Sequence, residues 1–532
     1  MTKRWRAGLR VLGLALLAGI ILPPAPAGAV DAVIAVRAET SSIDPHFALV
    51  GANQAIAQHI FDSLLDTDAN LRPTPGLAES WRLVEPGLWE FTLRAGAVFH
   101  DGSPVTTADV KFSLERMPNV PNSPAPFVRL AGAITEIIIV DERVIRFRTR
   151  GFDPSIPLNA TTAYIVSARA AANATTQDFN SGRAAIGSGP YRFVEWVPGQ
   201  RVVLRRNERW WGHAPAYDTV TIRPIASDAS RLAALLAGDV QMIDAVPPAE
   251  IAHLRANASV ALWTAPSSRM IYLGLEQEND TVPAITDAAG RPLARNPLKD
   301  VRVRRAISHA INRPAIVERL LLGAGQPAAQ MVPDGMIGYD PEIAVPRFDP
   351  DLARRLLAEA GYPQGFRITL SAPNNRYVED SRTAQTVAQF LARVGIAVTV
   401  EVLPSNVFFT RAARREFAFY LIGFGSTVGD SYPAMSQVLH SYDRERGLGG
   451  LNRMRYANPA LDALLMQSQQ QTDAAAREAL LRRATRLAFV DDVAIVPLHF
   501  LQNVWATRRG LRYEARADEN TLAVFLAPAA AR

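Results

Sequence analysis

The sequence predicts an α/β fold with open, mostly parallel sheets that are covered by helices and divided into at least two lobes. In the second half, residues 366–370 alternate as a strand, residues 387–394 show helical spacing of apolar side chains, and residues 396–402 alternate again. Such a β-α-β unit is expected to cross over right-handedly within a parallel sheet. A length of 532 residues also exceeds the usual size of one domain.

Neighbouring segments extend the predicted sheet. The apolar run 417–422 is typical of a strand that follows a short helix at 406–415, and residues 32–36 form the first strand of the chain. In open α/β sheets, ligands lie beyond the carboxyl ends of the strands. We therefore expect three segments that leave such ends to face a ligand: 39–53, 371–380 and 423–433.

The first 29 residues have the features of a secretory signal peptide. Basic residues between positions 3 and 10 precede an apolar stretch at 11–22 and an Ala-Gly-Ala cleavage pattern at 27–29. The apolar stretch is too short to cross a bilayer core of about 30 Å. A lipoprotein precursor needs a cysteine at the cleavage site, and the chain has none. We expect a cleaved signal peptide, a periplasmic location and no lipid anchor.

Composition and charge exclude several classes of site. Because the chain contains no cysteine, it has no disulfide, thiolate nucleophile or cysteine-based metal site. Loss of the four basic residues of the predicted signal peptide, which contains no acid, lowers the net charge from +6 to +2. No basic cluster with interleaved aromatic residues marks a nucleic-acid surface, so we expect no nucleic-acid partner.

Residues 296–328 predict two helices with a capping residue between them. Apolar side chains between positions 303 and 311 recur at helical spacing, which places Arg302, Arg304 and Arg305 on the solvent side. Asn312 is the expected N-cap of the second helix. Elsewhere, the Thr106–Asp109 spacing predicts a capping box, and Asp349 is expected to cap a helix that begins at Pro350.

Four strings of sequence resemble one known family. They are NPLKDVRVRRAISHAINRPAIVERLLLGAGQPA (296–328), FHDGSPVTTADVKFSLER (99–116), SGPY with RNERWWG (188–191 and 206–212), and FDPDLARRLLAEAGYPQGF (348–366). In this order they resemble the extracytoplasmic solute-binding proteins of ABC importers, the peptide/nickel-binding family (family 5). The resemblance covers essentially the whole chain after the signal peptide.

The resemblance implies the type II periplasmic-binding-protein fold, with two mixed α/β lobes that close on a solute. Lobe one would hold residues 30–295 and 493–532, with an inserted subdomain at about 65–187, and lobe two would hold residues 296–492. The two chain crossings would lie near 276–295 and 491–499. The implied partners are a small-molecule or peptide solute and the permease subunits in the inner membrane, and we expect a monomer.

Several residues of the predicted ligand-facing segments are candidates for solute binding. The guanidinium of Arg376 has the fork geometry that binds a carboxylate with two hydrogen bonds. The glycines of the 423–429 segment allow the backbone to approach a ligand closely. The full candidate set is Asn53, Tyr272, Arg376, Tyr377, Phe424, Gly425, Ser426, Thr427 and Asp430.

The same resemblance raises a question about the amino group of the solute. In peptide-binding relatives, an acidic residue of the loop that matches 423–430 commonly pairs with the α-amino group of the peptide. Thr427 stands at that position here and cannot supply the charge, and Asp430 is the only acid of the loop. Either Asp430 takes over this role, or the solute presents no free amino terminus there.

No constellation of residues predicts catalysis. The eight histidines have no metal-ligand spacing, and GFGSTVG (423–429) lacks both the GK[ST] ending of a P-loop and the GxSxG pattern. We expect no enzyme activity, no cofactor and no metal. The leading function is a periplasmic solute receptor of an ABC importer. The alternatives are a nickel or metal-chelate receptor and a periplasmic signalling or chaperone protein on the same fold.

Overall fold

The computed structural model describes residues 31–123, 127, 129–374, 376–426 and 428–529. The predicted signal peptide (1–29) and Thr427 lie outside these described residues. Within them, no helix has the length and apolar character needed to cross a membrane.

The strands, in chain order, are β1 (Asp31–Val36), β2 (Leu65–Thr67), β3 (Pro73–Pro75), β4 (Ala78–Glu85), β5 (Leu88–Leu93), β6 (Ile134–Ile139), β7 (Val144–Thr149), β8 (Tyr191–Val197), β9 (Arg201–Arg206), β10 (Thr219–Pro224), β11 (Met242–Ile243), β12 (Val260–Leu275), β13 (Gly325–Pro327), β14 (Phe366–Pro373), β15 (Ile396–Leu403), β16 (Phe419–Gly425), β17 (Val496–Arg508), β18 (Leu511–Tyr513) and β19 (Leu526–Pro528).

The α-helices are α1 (Gly51–Ile60), α2 (Thr107–Arg116), α3 (Arg129–Ala133), α4 (Ser155–Ala160), α5 (Ala168–Ala171), α6 (Thr176–Asn180), α7 (Asp228–Ala237), α8 (Pro248–Ala256), α9 (Val301–Ala310), α10 (Arg313–Ala315), α11 (Pro350–Glu359), α12 (Asp380–Ala392), α13 (Ser405–Ala413), α14 (Tyr432–Val438), α15 (Pro459–Gln470) and α16 (Ala474–Arg486).

One large mixed sheet runs through the molecule. Its strand order is β15-β14-β16-β12-β17-β11-β1-β10-β9-β8, with β13 beside β17. The pairs β14–β15, β14–β16, β1–β10 and β1–β11 are parallel, whereas β12 and β17 pair antiparallel with their neighbours. The predicted β-α-β unit is confirmed as β14, α12 and β15, with Phe366 opposite Ile396.

Residues between α1 and β8 build a separate layer. Strands β4, β5, β7 and β6 form a four-stranded antiparallel sheet, and β2 and β3 form a hairpin. Apolar side chains of this layer, such as Phe91 and Phe147, share a hydrophobic cluster with Ile34 of β1. An inserted subdomain with bounds at about 65–187 stays a prediction.

Two long strands connect the lobes. The first half of β12, from Val260 to Pro266, pairs with the end of β17, and its second half pairs with the start of β17 on one side and with β16 on the other. The register is irregular between Pro266 and Met270.

The apolar clusters divide the chain at these strands. One cluster draws residues from Met270 to Leu501, and another draws residues from Ala32 to Met242 together with the C-terminal segment that begins at Trp505. The end of β12 and the start of β17 thus pack in the core of lobe two. The crossings near 276–295 and 491–499, and the lobe bounds that go with them, stay a prediction.

The predicted caps of three helices are confirmed, whereas the prediction that Arg304 faces solvent is wrong. Thr106 and Asp109 form the expected capping box, and the side chains of Asn312 and Asp349 accept the expected N-cap hydrogen bonds. Arg304, however, is buried. Its guanidinium donates to the carbonyl oxygens of Leu298 and Asp492, at 2.9 and 2.7 Å. The periodicity of one helix does not reveal carbonyl groups that distant segments supply.

Candidate functional site

A cleft of about 860 Å³ lies between the two lobes. Lobe one contributes residues that follow the carboxyl end of β1, and lobe two contributes residues that follow the carboxyl ends of β14 and β16. The cleft therefore lies where ligands bind in open α/β sheets. Of the three predicted ligand-facing segments, each contributes at least two residues to its lining.

Arg376 lines the cleft on the lobe-two side. Its backbone N–H and that of Tyr377 both donate to Oδ2 of Asp380, at 2.9 and 3.0 Å, which fixes the turn between β14 and α12. The guanidinium lies 5.2 Å from the ring centre of Tyr377 and forms no hydrogen bond or ion pair with another described residue. Exclusion of water by the cleft walls lowers the pKa of Arg376, and the nearby positive charge of Arg269 lowers it further. Among the described residues, no carboxylate lies within 4 Å of this guanidinium, and the charge of Glu519 only partly offsets the lowering of its pKa.

Tyr377 connects the two ligand-facing loops of lobe two. Its hydroxyl donates to the carbonyl oxygen of Gly423 at 3.2 Å, and the side chain is buried against that glycine. An added Cβ at Gly423 would lie 2.9 Å from the tyrosine ring, so the close approach requires glycine. Burial raises the pKa of Tyr377, which keeps its hydroxyl as a neutral donor.

Gly425 and Ser426 also line the cleft. The guanidinium of Arg269 lies against Gly425, where an added Cβ would be 3.1 Å from Cζ of the arginine. The carbonyl oxygen of Ser426 accepts a hydrogen bond from Oγ of Ser268 at 2.7 Å. This loop therefore contacts the crossing strand β12 as well as the cleft. The next residue, Thr427, is outside the described residues.

Asp430 does not line the cleft. Its carboxylate is fully buried in lobe two, where Oδ2 lies 2.6 Å from Nη1 of Arg477. Oδ1 accepts the backbone N–H of Tyr432 at 2.7 Å. Both carboxylate oxygens are thus engaged inside lobe two, and we leave Asp430 out of the site.

Three further candidates lie outside the lining of the cleft. Asn53 is buried on α1, and its Oδ1 accepts from the backbone N–H and the hydroxyl of Ser41, each at 3.2 Å. Tyr272 is a core residue of lobe two, and Phe424 packs against the same core. Asn53 thus shapes the segment that begins at Thr40 rather than contacting the cleft itself.

Arg37, Arg269 and Glu519 are among the cleft residues that sequence reasoning missed. Glu519 lies in the C-terminal segment and receives hydrogen bonds from Nε of Arg269 at 3.0 Å and from Oγ of Ser267 at 3.1 Å. It has a positive φ of 67°, which is strained for a non-glycine residue. No sequence pattern links these residues, because they come from three distant segments.

Most charges in the lining have a partner of opposite sign. The ion pairs, each within 4 Å, are Asp228 and Asp244 with Arg231, Glu379 with Arg382, Asp518 with Arg516, Glu519 with Arg269, and Arg201 with Glu195. Glu39 accepts the backbone N–H of Gly199. Among the described lining residues, Arg37 and Arg376 are the cations without such a partner.

The described residues contain no group of three histidine or acidic side chains placed to hold a metal ion. No histidine lines the cleft within the same part of the chain. Four buried histidines have lowered pKa values because burial disfavours the charged form: about 4 for His46, His59 and His100, and about 3 for His499.

Comparison with known proteins places this architecture in one family. The model of the middle region of bacterial extracellular solute-binding proteins, family 5, matches residues 72–446, which is more than half of the chain. The glutathione-binding protein GsiB of Pectobacterium atrosepticum is 28% identical over 476 residues, which cover 87% of each chain. GsiB of Escherichia coli strain K12 is 28% identical over 494 residues, or 90% of each chain.

Solved structures share the fold at low sequence identity. The periplasmic binding protein DppA of Helicobacter pylori, solved in complex with the peptide STSA, superposes with a TM-score of 0.76 at 22% identity, covering 94% of this chain and 98% of DppA. HbpA2 of Haemophilus parasuis gives a TM-score of 0.79 at 22% identity, covering 94% and 100%.

These likenesses confirm the fold class that the sequence implied, the bilobal type II periplasmic-binding-protein fold. They also confirm the expected class of function, a solute receptor that serves an ABC importer. The chain belongs to the bacterial extracellular solute-binding proteins, family 5.

Proposed function

We propose that this protein captures a small peptide-like solute that presents a carboxylate to Arg376, and delivers it to the importer's permease. The observation that carries this proposal is the unpartnered guanidinium of Arg376 inside the cleft between the lobes. The side chain is exposed to the cleft, but the cleft walls exclude enough water to lower its pKa, so an anionic ligand that pairs with the guanidinium is favoured there. An arginine fork binds a carboxylate through two parallel hydrogen bonds.

The glycine-rich loop supports a solute without a free amino group at that position. Asp430 was the one acid in this loop available to hold an ammonium group, and its carboxylate is engaged by Arg477 and Tyr432. Among the described residues of 423–430, no carboxylate is left for a ligand. The two alternatives for this loop were that Asp430 binds the amino group of the solute, or that the solute presents no free amino terminus there. We therefore favour the second: a solute whose amino group is blocked or placed elsewhere, or which carries a negative charge at this position.

The names of the relatives support a peptide-like solute. Proteins that share 28% identity over about nine-tenths of this chain are named for binding glutathione. Glutathione is a tripeptide with two carboxylates, and its glutamate is linked through the γ-carboxyl. Its amino group therefore lies beside a free α-carboxylate rather than beside a peptide bond, as in an ordinary peptide. A glutathione-like peptide thus fits both the open arginine and the missing acid.

We further propose that the protein works in the periplasm after cleavage of residues 1–29, without a lipid anchor, as a monomer and without catalysis or nucleic-acid binding. The Ala-Gly-Ala pattern at 27–29 and the absence of cysteine support the first two points. Ligand-biased closure of the two lobes would be its mechanism, since a solute that contacts both lobes stabilises the closed form.

A thermal-shift panel on residues 30–532, refolded after removal of any bound solute, tests the proposal. The panel contains dipeptides and tripeptides, their N-acetylated and C-amidated forms, glutathione, and the nickel–histidine chelate. A ligand at 100 times its dissociation constant stabilises the folded state by about 2.7 kcal/mol. Stabilisation by N-blocked peptides or glutathione, and not by C-amidated peptides, is expected. Equal stabilisation by amidated forms, or a response to the nickel chelate alone, would overturn the proposal.

A further inference from the structure

Arg37 and Arg376 occupy equivalent positions on opposite lobes. Arg37 follows directly after β1, and Arg376 lies three residues beyond the end of β14. Both side chains line the cleft and both residues are exposed to it. Each therefore lies beyond the carboxyl end of a strand with parallel neighbours, one in each lobe.

The backbone holds both arginines in place while their guanidinium groups stay open. The N–H of Arg37 donates to Oδ1 of Asp244 at 2.8 Å, and that of Arg376 donates to Oδ2 of Asp380 at 2.9 Å. Neither guanidinium forms a hydrogen bond or ion pair within the described residues. The carboxylates of Asp244 and Asp380 thus accept hydrogen bonds from the backbone of the turns that hold Arg37 and Arg376.

Two carboxylates that act on this pair are shared with other arginines. The charge of Glu519 opposes the lowering of the Arg376 pKa by burial, and the charge of Arg37 opposes the rise of the Asp244 pKa by burial. Arg231 lies 3.7 Å from Asp244, and Arg269 is paired with Glu519 at 3.0 Å. Glu39, at the edge of the cleft, accepts a backbone N–H of Gly199. The charge of Arg37 contributes to the lowered pKa of Arg376, after water exclusion and Arg269, so the two cations repel each other across the cleft.

We infer that Arg37 and Arg376 form a two-lobe anion clamp, in which one solute with two acidic groups is held by one arginine of each lobe. The inference rests on the proposed function of the cleft and narrows its solute class to peptide-like compounds with two carboxylates. Without such a solute, closure brings two unpaired cations together. With it, each lobe gains a charge-assisted contact that exists only in the closed form.

Calorimetric titration with paired probes tests the clamp. Glutathione is compared with its glycine monoethyl ester, and N-acetyl-Ala-Ala-Glu with N-acetyl-Ala-Ala-Gln, because the members of each pair differ by one carboxylate and the acetylated peptides have no free amino terminus. The proteins are the wild type, Arg37→Gln, Arg376→Gln and the control Arg205→Gln, which removes an exposed arginine of lobe one away from the cleft. Unfolding curves of all four proteins establish that they are folded.

The clamp predicts that wild-type protein binds at least one two-carboxylate probe about ten- to a hundredfold tighter than its partner with one carboxylate. Arg37→Gln and Arg376→Gln should each abolish most of this preference, and Arg205→Gln should retain it. Binding should also weaken as salt concentration rises.

Two results would overturn the clamp. The first is that neither two-carboxylate probe binds the wild type. The second is that both members of a pair bind the wild type equally, that Arg376→Gln weakens their binding, and that Arg37→Gln leaves their binding unchanged. That second result leaves the carboxylate site at Arg376 standing, so it separates failure of the clamp from failure of the proposed function. Loss of the proposed function itself would appear as no response to any N-blocked peptide or glutathione in the thermal-shift panel.

Discussion

Oδ2 of Asp430 lies 2.6 Å from Nη1 of Arg477, in the interior of lobe two. Nε and Nη2 of this arginine find no hydrogen-bond partner among the described residues. Asp430 is thus the counter-ion of a buried cation and part of the scaffold behind the glycine-rich loop. The resemblance to peptide-binding proteins implies that an acid of this loop pairs with the amino group of the ligand, so this ion pair bears directly on the choice of solute.

Asp430→Asn should lower the free energy of unfolding by about 3–5 kcal/mol, because it leaves the buried charge of Arg477 unpaired. Urea unfolding at neutral pH measures the change. Asp239→Asn, at an exposed acid of lobe one, serves as the matched control and should leave stability nearly unchanged. An Asp430→Asn protein with wild-type stability and lost solute binding would instead place Asp430 in the site.

Asp62 should make stability depend on pH. Oδ1 and Oδ2 of its carboxylate accept the indole N–H groups of Trp210 and Trp211, each at 3.0 Å, and burial raises its pKa to about 6. The folded state therefore binds more protons than the unfolded state between about pH 4 and 6. The stabilising contribution of the protonated carboxyl is present below this window and is lost as the pH rises through it.

The measurement is the difference in unfolding free energy between wild type and Asp62→Asn at pH 4, 5, 6 and 7. The unfolding free energy of the wild type should fall relative to that of Asp62→Asn by about 2 kcal/mol between pH 4 and 7, since each unit of pKa shift corresponds to about 1.4 kcal/mol and the unfolded carboxyl is already about half ionised at pH 4. Other titrating groups are common to both proteins and cancel. A difference that is flat with pH would contradict the raised pKa of Asp62.

Leu71 should act as a contact that favours lobe closure. It lies between β2 and β3 in lobe one, and its carbonyl oxygen accepts the N–H of Gly429 in lobe two at 2.9 Å. Its side chain is buried against Val332 and Met336 of lobe two. Truncation of a buried leucine to alanine costs about 2 kcal/mol or more. Leu71→Ala should therefore shift the solute-free protein towards an open form.

The absence of cysteine makes the distance measurement simple. Spin labels at Ala233→Cys and Ala358→Cys, on exposed faces of α7 and α11, report the separation of the lobes. Leu71→Ala should enlarge the long-distance population, and a bound solute should reduce it again. Leu322→Ala, at an exposed leucine, is the control. Identical distance distributions for Leu71→Ala and wild type would show that Leu71 does not contribute to closure.

Local features of the fold were predictable because they depend on neighbours in the sequence. Periodicity predicted β14, α12 and β15, and side-chain chemistry predicted the caps at Thr106, Asn312 and Asp349. The position of the crossings is harder to predict, because β12 is one continuous strand that pairs with β17 along most of its length and with β16 in its second half. Nothing in its alternation marks the point at which its packing partners change.

The site was only partly predictable for the same reason. Arg376, Tyr377, Gly425 and Ser426 follow strands whose carboxyl ends were recognised, and all four line the cleft. Glu519 reaches the cleft from the C-terminal segment, and its pairing with Arg269 depends on tertiary structure alone. Asn53 has the chemistry of a ligand contact, but α1 turns its amide towards Ser41.

The most direct test of the proposed function combines a change in Arg376 with a change in the solute. The tightest-binding peptide or glutathione of the panel is titrated, with a free and an amidated C-terminal carboxylate, into wild type, Arg376→Ala and the exposed control Arg367→Ala. Arg376→Ala should weaken binding of the free acid by about 1.5–3 kcal/mol, the range for a charge-assisted hydrogen bond. It should have almost no effect on the amide, because the two changes remove the same contact. An unchanged dissociation constant for the free acid, or an equal loss for both forms, would contradict a carboxylate site at Arg376.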